Sequence, residues 1–174
     1  MEIFAEILKF TIPSVLALLV AFLAIDRFLK NEDRRRNYEI RKATLSQMLP
    51  VRLAAYERLV LFLERTAPES LILRMQSSEM NNVQLQQALL ATIRQEYEHN
   101  FAQQLYISEQ AAAIVKTAKE SLIQLINLAA SKVESTENST QLSMLIIESY
   151  YAAETPPVKV AVDFLKAEVR GYFG

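Results

Sequence analysis

One cluster of side chains in this sequence has residue types and a spacing that could do chemistry: Glu96, His99, Asn100 and Gln103. Residues three apart share one side of a helix, and helical bundles that hold two iron ions aim a glutamate and a histidine at the metal in this way. Such a site needs a second histidine and two further glutamates. His99 is the only histidine of the chain. We therefore expect no metal and no cofactor.

The same histidine could act as a general base oriented by Glu96 or Glu98. A nucleophile would then be required, and Ser108 or Thr92 could be proposed. Neither lies beside a glycine turn that could build an oxyanion hole. We therefore predict no catalytic residue and no small-molecule substrate. The cluster is better interpreted as a hydrogen-bonded polar layer between helices or as a surface that recognises another protein, with an enzyme built on Glu96, His99 and Asn100 as the alternative.

The elements that position these residues are predicted to be helices. The chain of 174 residues contains only two glycines, Gly171 and Gly174, so almost no position suits a tight hairpin turn. Alanine, leucine, glutamate and glutamine, which lose little rotamer freedom in a helix, are abundant. With no cysteine, disulfides and thiolate chemistry are excluded. The composition predicts an all-α protein.

The N-terminus predicts a transmembrane anchor over residues 1–29. Residues 10–25 carry no charge, and sixteen residues of helix cover about 24 Å. Seven lysines and arginines follow between residues 27 and 42, whereas only Lys9 precedes the run. By the positive-inside rule, a single-pass membrane protein is expected, with its N-terminus outside and its C-terminal domain in the cytoplasm.

Small residues recur along this predicted membrane helix at spacings of three, four and three: Ser14, Ala17, Ala21 and Ala24. Small side chains let two helix backbones approach closely within a bilayer. Alanine is also common in membrane spans for no such reason. Self-association or a helical partner is the sharper interpretation of this packing stripe.

The next segment, residues 30–49, is predicted to continue as a basic helical stalk. Its Arg34, Arg35 and Arg36 form a cluster suited to anionic lipid head groups at a membrane surface. Nucleic acid is not an expected partner, because acidic residues interrupt the patch and only Tyr38 is near it.

Residues 50–174 are predicted to form an antiparallel bundle of about five helices. Pro50 is expected to start a new helix, Pro68 to end it, and Ser108 and Thr155 to cap the N-termini of two later helices. Apolar residues at helical spacing predict the buried faces. On the long fourth helix they are Ala111, Val115, Ala118, Leu122, Leu125 and Ala129.

The apolar N-terminal run with its basic flank, together with residues 52–59, 61–65 and 96–106, resembles an uncharacterised family of short, N-terminally membrane-anchored helical proteins from Bacteroidetes. The resemblance implies a bacterial inner-membrane protein and assigns no catalytic residue.

These observations predict a non-enzymatic, membrane-tethered helical adaptor or accessory subunit that positions a protein partner at the cytoplasmic membrane face. A lipid-surface sensor acting through Arg34–Arg36 is a further alternative. Membrane lipid and a protein partner, or a second copy of the chain, are the expected partners.

Overall fold

The computed structural model describes the backbone of residues 2–172 and the side chains of residues 15–16 and 18–172. In this part of the chain the all-helical prediction is confirmed, with six α-helices, one short 3-10 helix and no strand. The elements are α1 (Glu2–Thr66), α2 (Pro68–Met75), α3 (Asn82–Asn100), the 3-10 helix (Phe101–Leu105), α4 (Glu109–Ala130), α5 (Thr140–Tyr151) and α6 (Pro157–Arg170).

The chain divides into two compact units, Met1–Leu49 and Pro50–Gly174. The expected helix start at Pro50 is absent, because α1 continues through this proline to Thr66. An interior proline removes one backbone hydrogen bond but does not have to end a long helix, which can tolerate it as a kink. The helix ends at Pro68 as expected, since α1 stops at Thr66, and Pro68 also occupies the first turn of α2, where its missing N–H costs nothing.

Local capping explains where several of the later helices begin. Asn81 and Gln84 form a reciprocal capping box at the start of α3, with the Asn81 side chain accepting from the Gln84 N–H at 2.9 Å. Ser108 caps α4 as predicted, since its hydroxyl accepts from the Ala111 N–H at 3.0 Å. The prediction that Thr155 caps the last helix was wrong. That helix, α6, begins at Pro157, and the residue in its N-cap position, Pro156, has no side-chain acceptor.

The core of the second unit is built around α4, which contacts α3, α5 and α6. Five residues of the predicted α4 stripe are buried: Ala111, Val115, Ala118, Leu122 and Ala129. The sixth prediction was wrong, since Leu125 is only partly buried and its neighbour Ile126 is buried in its place. The α1 residues Tyr56, Leu59, Phe62 and Leu63 join the same core. Small alanines on α4 allow close approach of the neighbouring helices.

The short helix α2 buries only one of its sides. Leu71 and Ile72 are buried, but Leu73 is 86% exposed. An eight-residue helix has one buried side, and three consecutive residues are spread over 200° of its circumference, so the third of them faces outward.

The predicted transmembrane anchor is overturned within the described residues. No helix there is long enough and apolar enough to cross a membrane. From Val15 the uncharged stretch ends before Asp26, and eleven helical residues rise about 16 Å against a hydrocarbon core of about 30 Å. The side chains of residues 10–14, in the first part of the predicted span, lie outside the described residues. The single-pass topology and the inner-membrane localisation drawn from the anchor are corrected with it.

Candidate functional site

The predicted polar cluster lies where the C-terminal end of α3 borders the last turns of α1. Glu96, His99 and Asn100 belong to α3, whereas Gln103 lies on the following 3-10 helix. A surface groove of about 240 Å³, here called the ion-pair groove, runs between α1 and α3. Its lining residues are Arg58, Leu61, Phe62, Arg65, Glu96, His99 and Asn100. The fold therefore brings three of the four predicted residues to one groove.

The Glu96 carboxylate is held by arginines of other helices. Its Oε1 accepts from Arg65 Nε at 3.0 Å and lies 2.8 Å from Arg65 Nη2. Arg74 Nη1 is 3.9 Å from the same oxygen. The Glu96 side chain is only 20% exposed, so its charge is balanced by α1 and α2. This carboxylate joins three helices.

Asn100 also has a structural position. Its side chain is 8% exposed, and its Nδ2 donates to the Glu96 backbone carbonyl at 2.8 Å. This bond runs back within α3, one turn before the point where the helix tightens into the 3-10 helix. The polar contact between helices is made by Glu96, whereas Asn100 bonds within its own helix.

His99 and Gln103 take no part in these polar contacts. His99 is exposed, and among the described residues its ring makes no hydrogen bond, to Glu96 or to any other group. Gln103 is half-buried and is outside the residues that line the groove. Glu96 therefore does not orient His99 as a general base would require. Within the described part of the chain no group of three or more acidic or histidine side chains could hold a metal ion.

A second polar network, which the sequence did not predict, joins α1 to the chain around Ser108 and to α6. Arg52 donates to the Tyr172 hydroxyl and to the Tyr106 carbonyl, and its guanidinium lies 4.7 Å from the centre of the Tyr172 ring. The Tyr56 and Tyr172 hydroxyl oxygens are 3.4 Å apart. The Ser108 hydroxyl donates to Glu168 at 3.0 Å.

Tyr56 is the buried centre of this network, and it also accepts from the Ser108 N–H at 3.3 Å. Burial, followed by the hydrogen bond with Tyr172, raises the pKa of the Tyr56 hydroxyl well above its ordinary value. The hydroxyl therefore stays protonated and serves as a structural hydrogen-bonding group. No local pattern predicts these partners, because they lie 52 and 116 residues away along the chain.

The three arginines of the predicted lipid-facing cluster, Arg34, Arg35 and Arg36, are all exposed. Arg35 Nε donates to Glu39 Oε1 at 3.1 Å, an i,i+4 pair that raises the pKa of the guanidinium. The arrangement is an open, solvated helix surface with an excess of positive charge.

A large exposed apolar surface lies on α1 over residues 15–29, here called the apolar segment. Ten large apolar side chains in it are between 49% and 72% exposed: Val15, Leu16, Leu18, Leu19, Val20, Phe22, Leu23, Ile25, Phe28 and Leu29. At 100° per residue these positions point to all sides of the helix. Of the predicted packing stripe, Ala21 and Ala24 are exposed here, while the side chains of Ser14 and Ala17 lie outside the described residues.

Comparison with known protein families gives one match. A family of unknown function, DUF7935, matches residues 2–172. The chain belongs to this family. The prediction of an uncharacterised family is thereby confirmed, and its match extends over both compact units. No curated protein and no solved structure shows significant similarity to the chain. Assignment to this family transfers no residue role, so the function has to be argued from the exposed surfaces.

Proposed function

We propose that this protein is a non-enzymatic helical adaptor or accessory subunit that binds a protein partner through the apolar segment. The observation that supports the proposal is the exposure of the ten large apolar side chains of residues 15–29. A helix that is apolar on all sides is normally buried. The part of the chain that the structure describes provides no cover for it.

The size of this surface favours a stable protein contact. Burying one such side chain fully is worth about 1.5–3 kcal/mol, which at about 25 cal/mol per Å² corresponds to roughly 60–120 Å² each. Ten half-exposed side chains then offer on the order of 500 Å² or more of apolar area. A patch of this size exceeds what scattered surface residues provide and is typical of an interaction site.

The chemistry of the partner follows from the geometry of the apolar segment. Because its side chains point to all sides, the partner has to surround the helix, as several apolar helices packed around it would. Residues 26–42, which overlap the C-terminal end of this segment, contain seven lysines and arginines against four acidic residues. Acidic side chains beside the apolar surface of the partner would complement this charge and hasten association. That the protein itself comes from Bacteroidetes remains a prediction from the sequence resemblance.

Affinity purification from the native cells tests the proposal. The full-length tagged protein would be cross-linked mildly, purified, and its co-purifying proteins identified by mass spectrometry. A Leu19→Asp, Phe22→Asp double variant places two charges in the apolar segment and should abolish recovery of the partner. The matched control, Ile40→Asp with Leu45→Asp, changes two equally exposed apolar residues further along α1 and should leave recovery unchanged.

Three results would overturn the proposal. The protein could come down only with itself, the partner could remain bound to the Leu19→Asp, Phe22→Asp variant, or that variant could lose association with lipid vesicles instead of with a protein. A partner lost equally from both double variants would also refute the role of residues 15–29.

A further inference from the structure

A second groove of the second unit, here called the apolar groove, lies between α1 and α6 and shares Leu61 with the ion-pair groove. Its volume is about 390 Å³, within the range of small-molecule sites. Six apolar or aromatic residues form its walls: Leu53, Tyr56, Val60, Leu61, Leu165 and Val169. Neither the predicted polar cluster nor the apolar segment of residues 15–29 contributes to it.

The polar end of the only tyrosine in these walls is already satisfied. The Tyr56 hydroxyl contacts Tyr172 Oη at 3.4 Å and accepts from the Ser108 N–H at 3.3 Å. Tyr56 is only 2% exposed, so its hydroxyl is withdrawn from the groove that its side chain helps to line. An extended peptide would leave its backbone N–H and C=O groups without partners against such walls, at a cost in free energy, whereas an alkyl chain has no polar group to satisfy.

The volume also argues for a small ligand. One turn of α-helix, about 10 Å wide and 5.4 Å long, fills roughly 400 Å³. The apolar groove could therefore take a single turn of a partner helix at most, which is too short for a stable helical contact.

The rim of the groove is mainly positive. Lys166 and Arg170 lie four residues apart on α6, so they stand one above the other on the same side of the helix. Glu57 borders the groove from α1. In the described part of the chain no carboxylate lies within 4.0 Å of either cation. Both cations are thus available to an anionic group at the rim.

We propose that the apolar groove binds an unbranched aliphatic carboxylate, with the alkyl chain along the walls and the carboxylate at Lys166 and Arg170. The walls select for a chain without polar atoms, and the rim selects for a negative head group. This site is independent of the proposed protein contact at residues 15–29.

Isothermal titration of the full-length protein with octanoate, decanoate and dodecanoate, below their micelle concentrations, tests the proposal. One saturable site is expected. Each added methylene that enters the groove should tighten binding about fourfold. The matched primary alcohols should bind about two- to fivefold more weakly, because they lack the charge that pairs with the exposed cations.

Variants locate the site. Leu61→Trp or Val169→Trp would fill the groove and should weaken decanoate binding at least tenfold, whereas Val160→Trp, on another exposed part of α6, should leave it unchanged. Because Leu61 is half-exposed, its replacement is tolerated by the fold even where Val169→Trp is not. Lys166→Gln with Arg170→Gln should remove the preference for carboxylate over alcohol, and Lys159→Gln should retain it.

Two results would place the fatty acid on the apolar segment and overturn the proposal. Binding could fail to saturate, or the Leu19→Asp, Phe22→Asp variant could abolish it. Equal affinities for carboxylate and alcohol, or unchanged binding by Leu61→Trp, would also contradict it.

Discussion

Replacement of Ser108 by alanine tests whether the network around α4 holds the second unit together. The Ser108 hydroxyl accepts from the Ala111 N–H at 3.0 Å and donates to Glu168 Oε2 at 3.0 Å. Loss of an N-cap costs about 1 kcal/mol, and loss of a hydrogen bond to a partly exposed carboxylate costs about another 1 kcal/mol. The free energy of unfolding should therefore fall by about 2 kcal/mol, which for a chain of this size lowers Tm by about 4–8 °C.

Thr155→Ala is the matched control. The sequence predicts that Thr155 caps α6, yet the structure gives α6 no side-chain cap. This replacement should change the free energy of unfolding by less than about 0.5 kcal/mol. Thermal unfolding followed by circular dichroism measures both variants. A double-mutant cycle of Ser108→Ala and Glu168→Ala isolates their bond and should show about 1 kcal/mol of coupling. If Ser108→Ala were no less stable than Thr155→Ala, the assignment of the cap and of its tie to α6 would be refuted.

Two further predictions concern burial. Tyr150 is 6% exposed, and burial raises the pKa of its hydroxyl to about 12. Because the folded state favours the protonated hydroxyl, this group stabilises the fold fully below pH 10, the ordinary tyrosine pKa. This stabilisation, up to about 3 kcal/mol, is lost as the pH rises through 12. Tyr150→Phe should remove this part of the alkaline loss in urea titrations between pH 9 and 12, and an unchanged pH profile would contradict the assignment. Leu142→Ala should lower the free energy of unfolding by about 2–5 kcal/mol, because Leu142 is fully buried. Leu73→Ala, at an exposed position, should change it by less than about 0.5 kcal/mol in the same titrations. Similar losses from both variants would show that the assigned core is wrong.

The helical class could be predicted because alanine, leucine, glutamate and glutamine are abundant and the two glycines, Gly171 and Gly174, lie at the C-terminal end of the chain. Local signals also located Ser108, whose cap depends on the next three residues. Helix boundaries near proline were predicted in part: α1 ends just before Pro68 as expected, but Pro50 lies inside α1, because a long helix can tolerate an interior proline.

The candidate site was predictable only in part, because its contacts are distant along the chain. Glu96 pairs with Arg65, 31 residues away, and this ion pair takes the carboxylate that the Glu96/His99 spacing suggested for chemistry. Likewise, Tyr172 reaches Arg52 across 120 residues. Spacing along one helix shows which side chains share a face, but the fold decides which helix lies opposite that face.

The apolar segment shows what a sequence pattern can reveal without the fold, and where its interpretation fails. The uncharged run of residues 10–25, which overlaps this segment, was plain in the sequence and was interpreted as part of a membrane span. Among the described residues no helix meets the requirement for a span, and the ten exposed apolar side chains are left in need of another cover. Composition reveals that a surface must be buried, but it does not say what buries it.

Photo-crosslinking in the native cells tests the central claim most directly. Benzoylphenylalanine would be introduced at position 22, within the apolar segment, and at position 38 as the matched control, since Phe22 and Tyr38 are aromatic and similarly exposed on α1. The proposed adaptor role predicts a discrete adduct with one other protein from position 22 and a much weaker one from position 38. Adducts only with lipid, only with a second copy of the chain, or with equal yield from both positions would contradict it.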